Sequence, residues 1–234
     1  MKRGMIILAG GKGLRMGNQL PKQFIPLHGK PVVMYTLEVF HRWDASARLI
    51  LVLPDDHQPY WEMLCRELNF TIPHRIVTGG GTRFESVRNG LPEVADCDII
   101  GIHDGVRPMV APEVIEQCFL TAAQTGAVIP VVPCIDTIRE KKGEQNRAVD
   151  RSKFYIVQTP QVFYRDWVLE AYKQPYRQEF TDDATVVEYF GKSITLLDGN
   201  LENIKITTPM DIIVAEKIIG LNLDEILKFQ NSEI

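Results

Sequence analysis

Met5-Ile6-Ile7-Leu8-Ala9-Gly10-Gly11-Lys12-Gly13-Leu14-Arg15-Met16-Gly17 begins as an apolar run and stops at a cluster of glycines. A short β-branched-rich run bounded by glycine predicts a strand that empties into a loop. Glycines let backbone N–H groups approach a ligand closely, and successive N–H groups form a concavity that binds anions. Arg15, and Lys22 in the following Pro21-Lys22-Gln23, add fixed positive charge. No Asp or Glu occurs from Met1 to Leu37, whereas Lys2, Arg3, Lys12, Arg15, Lys22 and Lys30 are all basic. In a chain of net charge −4 this is a local positive well suited to a polyphosphate. Neither common phosphate loop matches. The P-loop spacing puts Arg15 or Met16 where its second glycine belongs, and the dinucleotide pattern that starts at Gly11 meets Met16 at its third. Taken alone, the loop also reads as a glycine-rich turn with surface lysines.

Outward from this stretch, apolar runs alternate with amphipathic ones. Strands are expected at Met5–Ala9, Leu49–Leu53, Arg75–Val77, Ile99–His103 and Ala127–Val132, and helices at Val32–His41, Tyr60–Leu68, Arg83–Leu91 and Pro112–Thr125. Pro112 suits a first helical turn and Gly126 a helix stop. Such alternation predicts an α/β fold, Rossmann-like, with a mainly parallel sheet and helices on both faces. Ligands of these sheets bind at the carboxyl ends of the strands. The Gly10–Lys22, Gly79–Arg83 and Asp104–Arg107 loops all emerge there.

After Val132 the rhythm changes. Ile135–Arg139 alternates like a short strand, Glu140–Arg147 is polar apart from Gly143, and a protruding β-hairpin arm is expected over about 135–151, with its tip at Lys141–Gln145. A solvated loop is the simpler alternative. Beyond the arm we expect a strand at Phe154–Gln158, a turn at Thr159-Pro160-Gln161, and helices near Asp166–Tyr172 and Asp182–Phe190. Strands at Ile194–Leu197 and Ile204–Ile206, a helix at Pro209–Ile219 and a polar tail from Lys228 follow. The whole, 1–234, reads as a single domain carrying the arm as an insertion.

Composition narrows the class. Hydrophobic residues make up 45% and charged residues 24%, ordinary values for a soluble globular protein. A net charge of −4 argues against a nucleic-acid partner. Cys65, Cys97, Cys118 and Cys134 are widely spaced, which points to free thiols in a reducing, cytoplasmic setting and not to a disulfide or zinc framework. No run reaches the roughly 18–20 apolar residues of a membrane span, so no membrane association is expected. Asp104, ending a strand opposite the phosphate loop, suits a Mg²⁺ ion shared with triphosphate oxygens, which takes one or two carboxylates; an Asp turn or cap is the alternative. His103 beside it reads as structural.

Nine motifs in sequence resemble the sugar-phosphate cytidylyltransferases. They are Leu8-Ala9-Gly10-Gly11-x-Gly-x-Arg15-Met16, Pro21-Lys22-Gln23, Gly79-Gly80-Gly81-Thr82-Arg83-x-x-Ser86-Val87 and His103-Asp104-x-x-Arg107-Pro108, then Asp136-Thr137, Val149-Asp150-Arg151, Thr159-Pro160-Gln161, Thr181-Asp182-Asp183-Ala184 and Asn203-Ile204-Lys205-Ile206-Thr207. The resemblance runs from about Ile6 to Ile218 and implies an enzyme that joins the α-phosphate of CTP to a sugar-alcohol phosphate with Mg²⁺. It implies catalytic roles for Arg15, Lys22, Arg151 and Lys205. Nucleotide contacts would come from Ala9, Gly10, Gly11, Gly79, Gly80, Gly81, Arg83, Ser86 and Asp104, the last also the metal ligand. Acceptor contacts would come from Asp104, Arg107, Thr137, Arg151, Thr159, Thr181 and Lys205. It also implies a homodimer in which the arm completes the neighbour's site. Two acceptors are open. Leu8-Ala9-Gly10-Gly11 and Gly105-Val106 lean toward ribitol 5-phosphate; Val149-Asp150-Arg151 and Thr181-Asp182-Asp183-Ala184 lean toward 2-C-methyl-D-erythritol 4-phosphate, and carry more weight because they lie where the acceptor would sit. A UTP- or ATP-dependent transferase and a non-catalytic nucleotide-binding module are the competing readings.

Overall fold

The computed structural model describes residues 1–11 and 20–220. The chain runs through β1 (Arg3–Leu8), a small ribbon of β2 (Pro26–Leu27) and β3 (Lys30–Pro31), α1 (Val32–Trp43), β4 (Arg48–Leu53), α2 (Gln58–Glu67), β5 (Arg75–Thr78), α3 (Arg83–Gly90), β6 (Ile99–Asp104), α4 (Pro112–Thr125) and β7 (Ala127–Pro133). It continues through the hairpin β8 (Arg139–Lys142) and β9 (Gln145–Ala148), then β10 (Tyr155–Val157), β11 (Gln161–Tyr164), α5 (Arg165–Ala171), α6 (Asp183–Tyr189), β12 (Thr195–Asp198) and α7 (Pro209–Gly220).

Period-two alternation in the apolar strands divides the core into two layers. Met5, Ile7, Leu49 and Leu51 face α1, α2 and α4, meeting Met34, Phe40, Trp61 and Phe119. Ile6, Ile50, Val52, Ile100 and Ile102 point the other way, onto Phe84, Val87, Val168 and Val187 of α3, α5 and α6. Each fully buried side chain of this kind contributes about 1.5–3 kcal/mol, so both faces must stay covered. Pro112 opens α4, and Gly126, at a φ of 90°, closes it.

The sheet order is β10-β7-β11-β6-β1-β4-β5, with β12 also on β7. β6, β1, β4 and β5 are parallel, β12 is parallel to β7, and β11 and β10 are antiparallel to their neighbours. The chain builds outward from β1 through β4 and β5, then returns to place β6 on β1's other side. That reversal is the topological switch point where such sheets open a crevice.

Three local expectations are corrected. Gln161 belongs to β11, which spans β6 and β7 in register Gln161 to Ile102 and Val162 to Val128; the chain passes Thr159-Pro160, a cis bond, between two strands of the same sheet instead of turning toward a helix. Ile135–Arg139 is not a strand except for its last residue, and the arm's ladder pairs Arg139 with Ala148. Its tip is the Gly143-Glu144 turn, Gly143 having a φ of 62°. Ile204–Ile206 forms no ladder: Ile206 makes one backbone bond, to the Val106 carbonyl at 3.0 Å, and otherwise anchors by burial. The tail from Lys228 lies outside the described residues, as does Arg15.

Candidate active site

Two adjoining clefts open at the carboxyl edge of β1, β4, β5 and β6. The first, of about 260 Å³, is lined by Ala9, Gly10 and Gly11 after β1, by Gly80, Gly81, Arg83 and Ser86 at α3, and by Lys22, Gln23, Asp104, Val106 and Lys205. The second, of about 300 Å³, is lined by Arg107, Thr159, Gln161, Thr181 and Asp182 among others. Arg83, Asp104 and Lys205 line both and form the wall between them.

Local chemistry shapes the first cleft. Thr82 caps α3 by accepting from Glu85 N at 3.1 Å, and Glu85 Oε2 accepts from Thr82 N at 2.9 Å. Ser86 Oγ donates to the Thr82 carbonyl at 2.9 Å and accepts from Gly80 N at 3.1 Å. The glycine turn is thereby held with its backbone edge toward the cleft. On the opposite lip, the Lys22 stem lies so close to Gly11 that a Cβ there would stand 2.7 Å from Cε. Gln23 is fully buried, and its Nε2 donates to His57 Nδ1 at 3.1 Å.

The dividing wall is electrostatic. Asp104 Oδ2 accepts from Lys205 Nζ at 2.9 Å and from Arg107 Nε at 3.3 Å. Burial by itself raises the Asp104 carboxyl, but Lys205, Arg83 and Arg107 outweigh it and hold it well below the usual carboxylate range. Asp104 is therefore ionised at neutral pH. Arg83 is clamped at 2.7 and 2.6 Å by both oxygens of Asp183, which is fully buried. Burial lowers the Arg83 guanidinium, and Asp183 more than reverses that, so its net displacement is upward. Tyr172 Oη donates to Asp183 Oδ1 at 2.5 Å, and Gln161 Oε1 accepts from the Asp183 and Ala184 amides at 3.0 and 2.9 Å.

His103 is wholly buried and neutral, burial pushing it down to about 4. The Arg107 carbonyl can only accept, so His103 Nε2–H donates to it (3.0 Å), Nδ1 of the neutral ring is an acceptor, and the Thr159 hydroxyl donates to Nδ1 (3.0 Å) while accepting from Asp104 N (3.1 Å). The histidine is thus structural, as its isolation in the sequence suggested, and it also locks Thr159 into the cleft.

The expected site residues divide into two groups. Ala9, Gly10, Gly11, Lys22, Gly80, Gly81, Arg83, Ser86 and Asp104 meet in the first cleft, and Arg107, Thr159, Thr181 and Lys205 with Asp104 in the second. Thr137 and Arg151 line neither. Both are exposed at the base of the arm, where Arg151 Nη1 donates to the Ile135 carbonyl. Sequence reasoning quoted Gln161, Asp182, Asp183 and Asn203 inside motifs without giving them roles; the only signal was an unexplained polar residue within each motif. No cluster of three His, Cys, Asp or Glu side chains suited to a metal occurs among the described residues.

A crevice edged by glycine backbone thus adjoins a second, cationic crevice across a wall of fixed charges. Residues 4–221 match the sequence profile described as IspD, 2-C-methyl-D-erythritol 4-phosphate cytidylyltransferase. Curated proteins of that name from Bacteroides fragilis and Porphyromonas gingivalis are 52% and 50% identical to the chain, covering 94% and 93% of it and 100% and 98% of their own lengths. The solved 2-C-methyl-D-erythritol 4-phosphate cytidylyltransferase of Thermus thermophilus superposes with a TM-score of 0.77 at 29% identity, over 94% of this chain and 100% of that one. The 4-diphosphocytidyl-2C-methyl-D-erythritol synthase of Anaerococcus prevotii gives 0.79 at 26% identity, over 94% and 99%. The chain belongs to the 2-C-methyl-D-erythritol 4-phosphate cytidylyltransferase family.

Proposed function

We propose that the protein transfers the cytidylyl group of CTP to 2-C-methyl-D-erythritol 4-phosphate, releasing pyrophosphate, in the non-mevalonate route to isoprenoid precursors. The observation that supports this reading is that Arg83, Asp104 and Lys205 line both clefts, so that a nucleotide in one and a phosphate in the other would meet across the same charges. CTP would occupy the first cleft, its base against the Ala9–Gly11 and Gly79–Gly81 backbone and Ser86. The acceptor phosphate would occupy the second, against Arg107, Thr159, Thr181 and Lys205. An oxygen of the acceptor phosphate attacks the α-phosphorus, and the bond to the bridging oxygen of the β-phosphate breaks. Pyrophosphate leaves with that electron pair. A phosphate monoester, with a second pKa near 6, is mostly dianionic at neutral pH, so no general base is required. The protein's work is positioning and charge stabilisation. Lys22, with Arg15 outside the described residues, would meet charge developing on the α- and leaving phosphates, and Lys205 would aim the attacking phosphate.

Asp104 fits a Mg²⁺ ion. It is an ionised carboxylate lining both clefts, and Lys205 and Arg107 both engage its Oδ2. One carboxylate with substrate phosphates is an ordinary Mg²⁺ site. The ion would supply charge neutralisation on the triphosphate.

A homodimer with shared sites is part of the proposal. Phe154 and all of β10, Tyr155, Ile156 and Val157, are exposed, as is Ile135, whose neighbour Cys134 donates to the Phe154 carbonyl, and every residue of β8 and β9 is exposed. A two-stranded ribbon is marginal alone, and an apolar strand of this kind calls for a cover. Thr137 and Arg151, outside their own chain's clefts, would then serve the neighbour. No described helix is long and apolar enough to cross a membrane, and the four free cysteines fit a reducing, cytoplasmic setting.

Pyrophosphate release, measured with CTP, UTP or ATP against methylerythritol 4-phosphate or ribitol 5-phosphate, tests the reading. CTP with methylerythritol 4-phosphate should be preferred by orders of magnitude. Preference for ribitol 5-phosphate, or for another nucleotide, would overturn it.

A further inference from the structure

Lys205 stands on a stretch between β12 and α7 that has no ladder to hold it. Its ammonium nevertheless reaches Asp104 at 2.9 Å from the wall of both clefts. Ile206, buried and bonded to the Val106 carbonyl, anchors the stretch on one side of Lys205, and a pair of buried amide side chains fixes the other. Asn203, fully buried, donates through Nδ2 to the Thr159 carbonyl at 2.9 Å and to Gln158 Oε1 at 3.4 Å. Gln158, itself buried, donates through Nε2 to the Asn200 carbonyl at 2.8 Å and to the Asn203 carbonyl at 3.5 Å. The Asn203 carbonyl also accepts from Arg107 Nη1 at 2.6 Å. Gln158 reaches this position only because residue 199 is glycine: a Cβ there would stand 2.3 Å from Gln158 Oε1. Asn203 Oδ1, by contrast, is buried without a partner. Burying an unsatisfied acceptor is costly, so the residue is explained by what its Nδ2 and its carbonyl hold, not by a fully satisfied polar network.

We propose that Asn203 and Gln158 form an amide clasp that positions Lys205, and through the Asn203 carbonyl Arg107, against the wall where the acceptor phosphate is aimed. Neither side chain acts on the reacting atoms. Asn203 joins three elements: the Thr159 turn before β11, the Arg107 loop after β6 and the Lys205 stretch. Moving the lysine by a fraction of an ångström alters transfer while the glycine-edged base pocket is left intact.

The inference rests on the proposed role of Lys205, and a double-mutant cycle separates the two. Asn203→Ala and Gln158→Met are compared with wild type and in a Lys205→Met background, with folding checked by circular dichroism and thermal unfolding. Expected is a loss of about 10- to 100-fold in kcat for Asn203→Ala, the scale of a small misplacement at a reacting centre, with KM for CTP within about twofold. In the Lys205→Met background the same change should cost less than about threefold, the non-additivity of groups acting as one unit. Gln158→Met, which keeps the side-chain volume, should show the same pattern more weakly and guards against an Asn203→Ala that fails to fold. If both clasp variants fold and keep wild-type kcat, or lose equal factors with and without Lys205, the clasp is merely structural and the inference falls alone. If Lys205→Met keeps wild-type kcat, the assigned role of Lys205 falls and the clasp with it.

Discussion

Asp104→Asn keeps the shape of the wall and removes one charge from its centre, so it tests the electrostatic argument directly. Asp104 holds Lys205 at 2.9 Å and Arg107 at 3.3 Å. At an effective dielectric near 20, each contact is worth about 5 kcal/mol before solvation is counted. Solvation then separates the partners. The Lys205 side chain is 41% exposed and rehydrates when its partner is lost, while that of Arg107 is only 11% exposed. Arg107 still keeps the Asn203 carbonyl at 2.6 Å. The net loss should therefore sit at the low end for breaking a buried pair, about 3 kcal/mol, or about 6–12 °C in Tm for a chain of this length. The sign with pH follows from the carboxyl's depressed folded value. Its contribution is fully present above the unfolded Asp value of about 3.9 and is lost as pH falls below it toward the folded value. Urea unfolding of both proteins should show the full gap at pH 7 and a smaller one near pH 3. The same substitution should raise the Mg²⁺ concentration for half-maximal activity, because an amide attracts a hard cation less than a carboxylate does. Equal urea midpoints at pH 7, or a gap that widens on acidification, would refute the charge argument; superimposable Mg²⁺ titrations would remove Asp104 from the metal site.

Lys22→Ala should lower kcat by about 10²–10³ while weakening CTP binding far less, the cost of losing a charge aimed at the transition state; steady-state kinetics showing a raised KM with normal kcat would make the loop a binding element only. For the shared site, Lys22→Ala and Arg151→Ala subunits are mixed under conditions that allow exchange, and some mixed dimers should regain one intact site. No recovery despite demonstrated exchange would return Arg151 to its own chain.

The parallel half of the sheet was legible because burial on both faces leaves near-continuous apolar runs with glycine or polar punctuation. β1, β4 and β6 fall within a residue or two of where their patterns put them. β11 was not legible. Gln161-Val162-Phe163-Tyr164 is only four residues long and follows Thr159-Pro160, where turn chemistry outweighs strand pattern. Val162 and Phe163 are buried by distant elements, β6 and β7 beside β11 and the helices of the two core layers on its faces, with β7 more than thirty residues upstream. Ile204 and Ile206 show the opposite failure. Their alternation around Lys205 is a strand signal, but Ile206 is buried with Val106, Leu27 and Val32 under α7, and no strand among the described residues pairs with it. The arm was legible as a polar excursion with its turn inside Lys141–Gln145, but its strands lie a few residues nearer that turn than Ile135–Arg139 and Ala148–Arg151, since a solvated ribbon has no buried face to mark its ladder.

At the site, residue types were readable and their partners were not. Arg83 stands in its motif as a cation for the nucleotide, yet its guanidinium is clamped by Asp183, a hundred residues on, in a carboxylate pocket closed by Tyr172. Asp104 similarly belongs as much to Lys205 and Arg107 as to any metal. The wall and its supports therefore set three cations, Arg83, Arg107 and Lys205, against two carboxylates, Asp104 and Asp183, and net one positive charge. Counting basic residues along the chain overstates the field the substrates meet. What the fold supplies is the placement of nearly balanced charges, each held by a partner before substrate arrives, so that little reorganisation is left for the moment when negative charge develops on the transferring phosphate. Apart from the Asp104–Arg107 pair, that preorganisation depends on contacts, Arg83 with Asp183 and Lys205 with Asp104, made across about a hundred residues of chain, which spacing within a motif cannot encode.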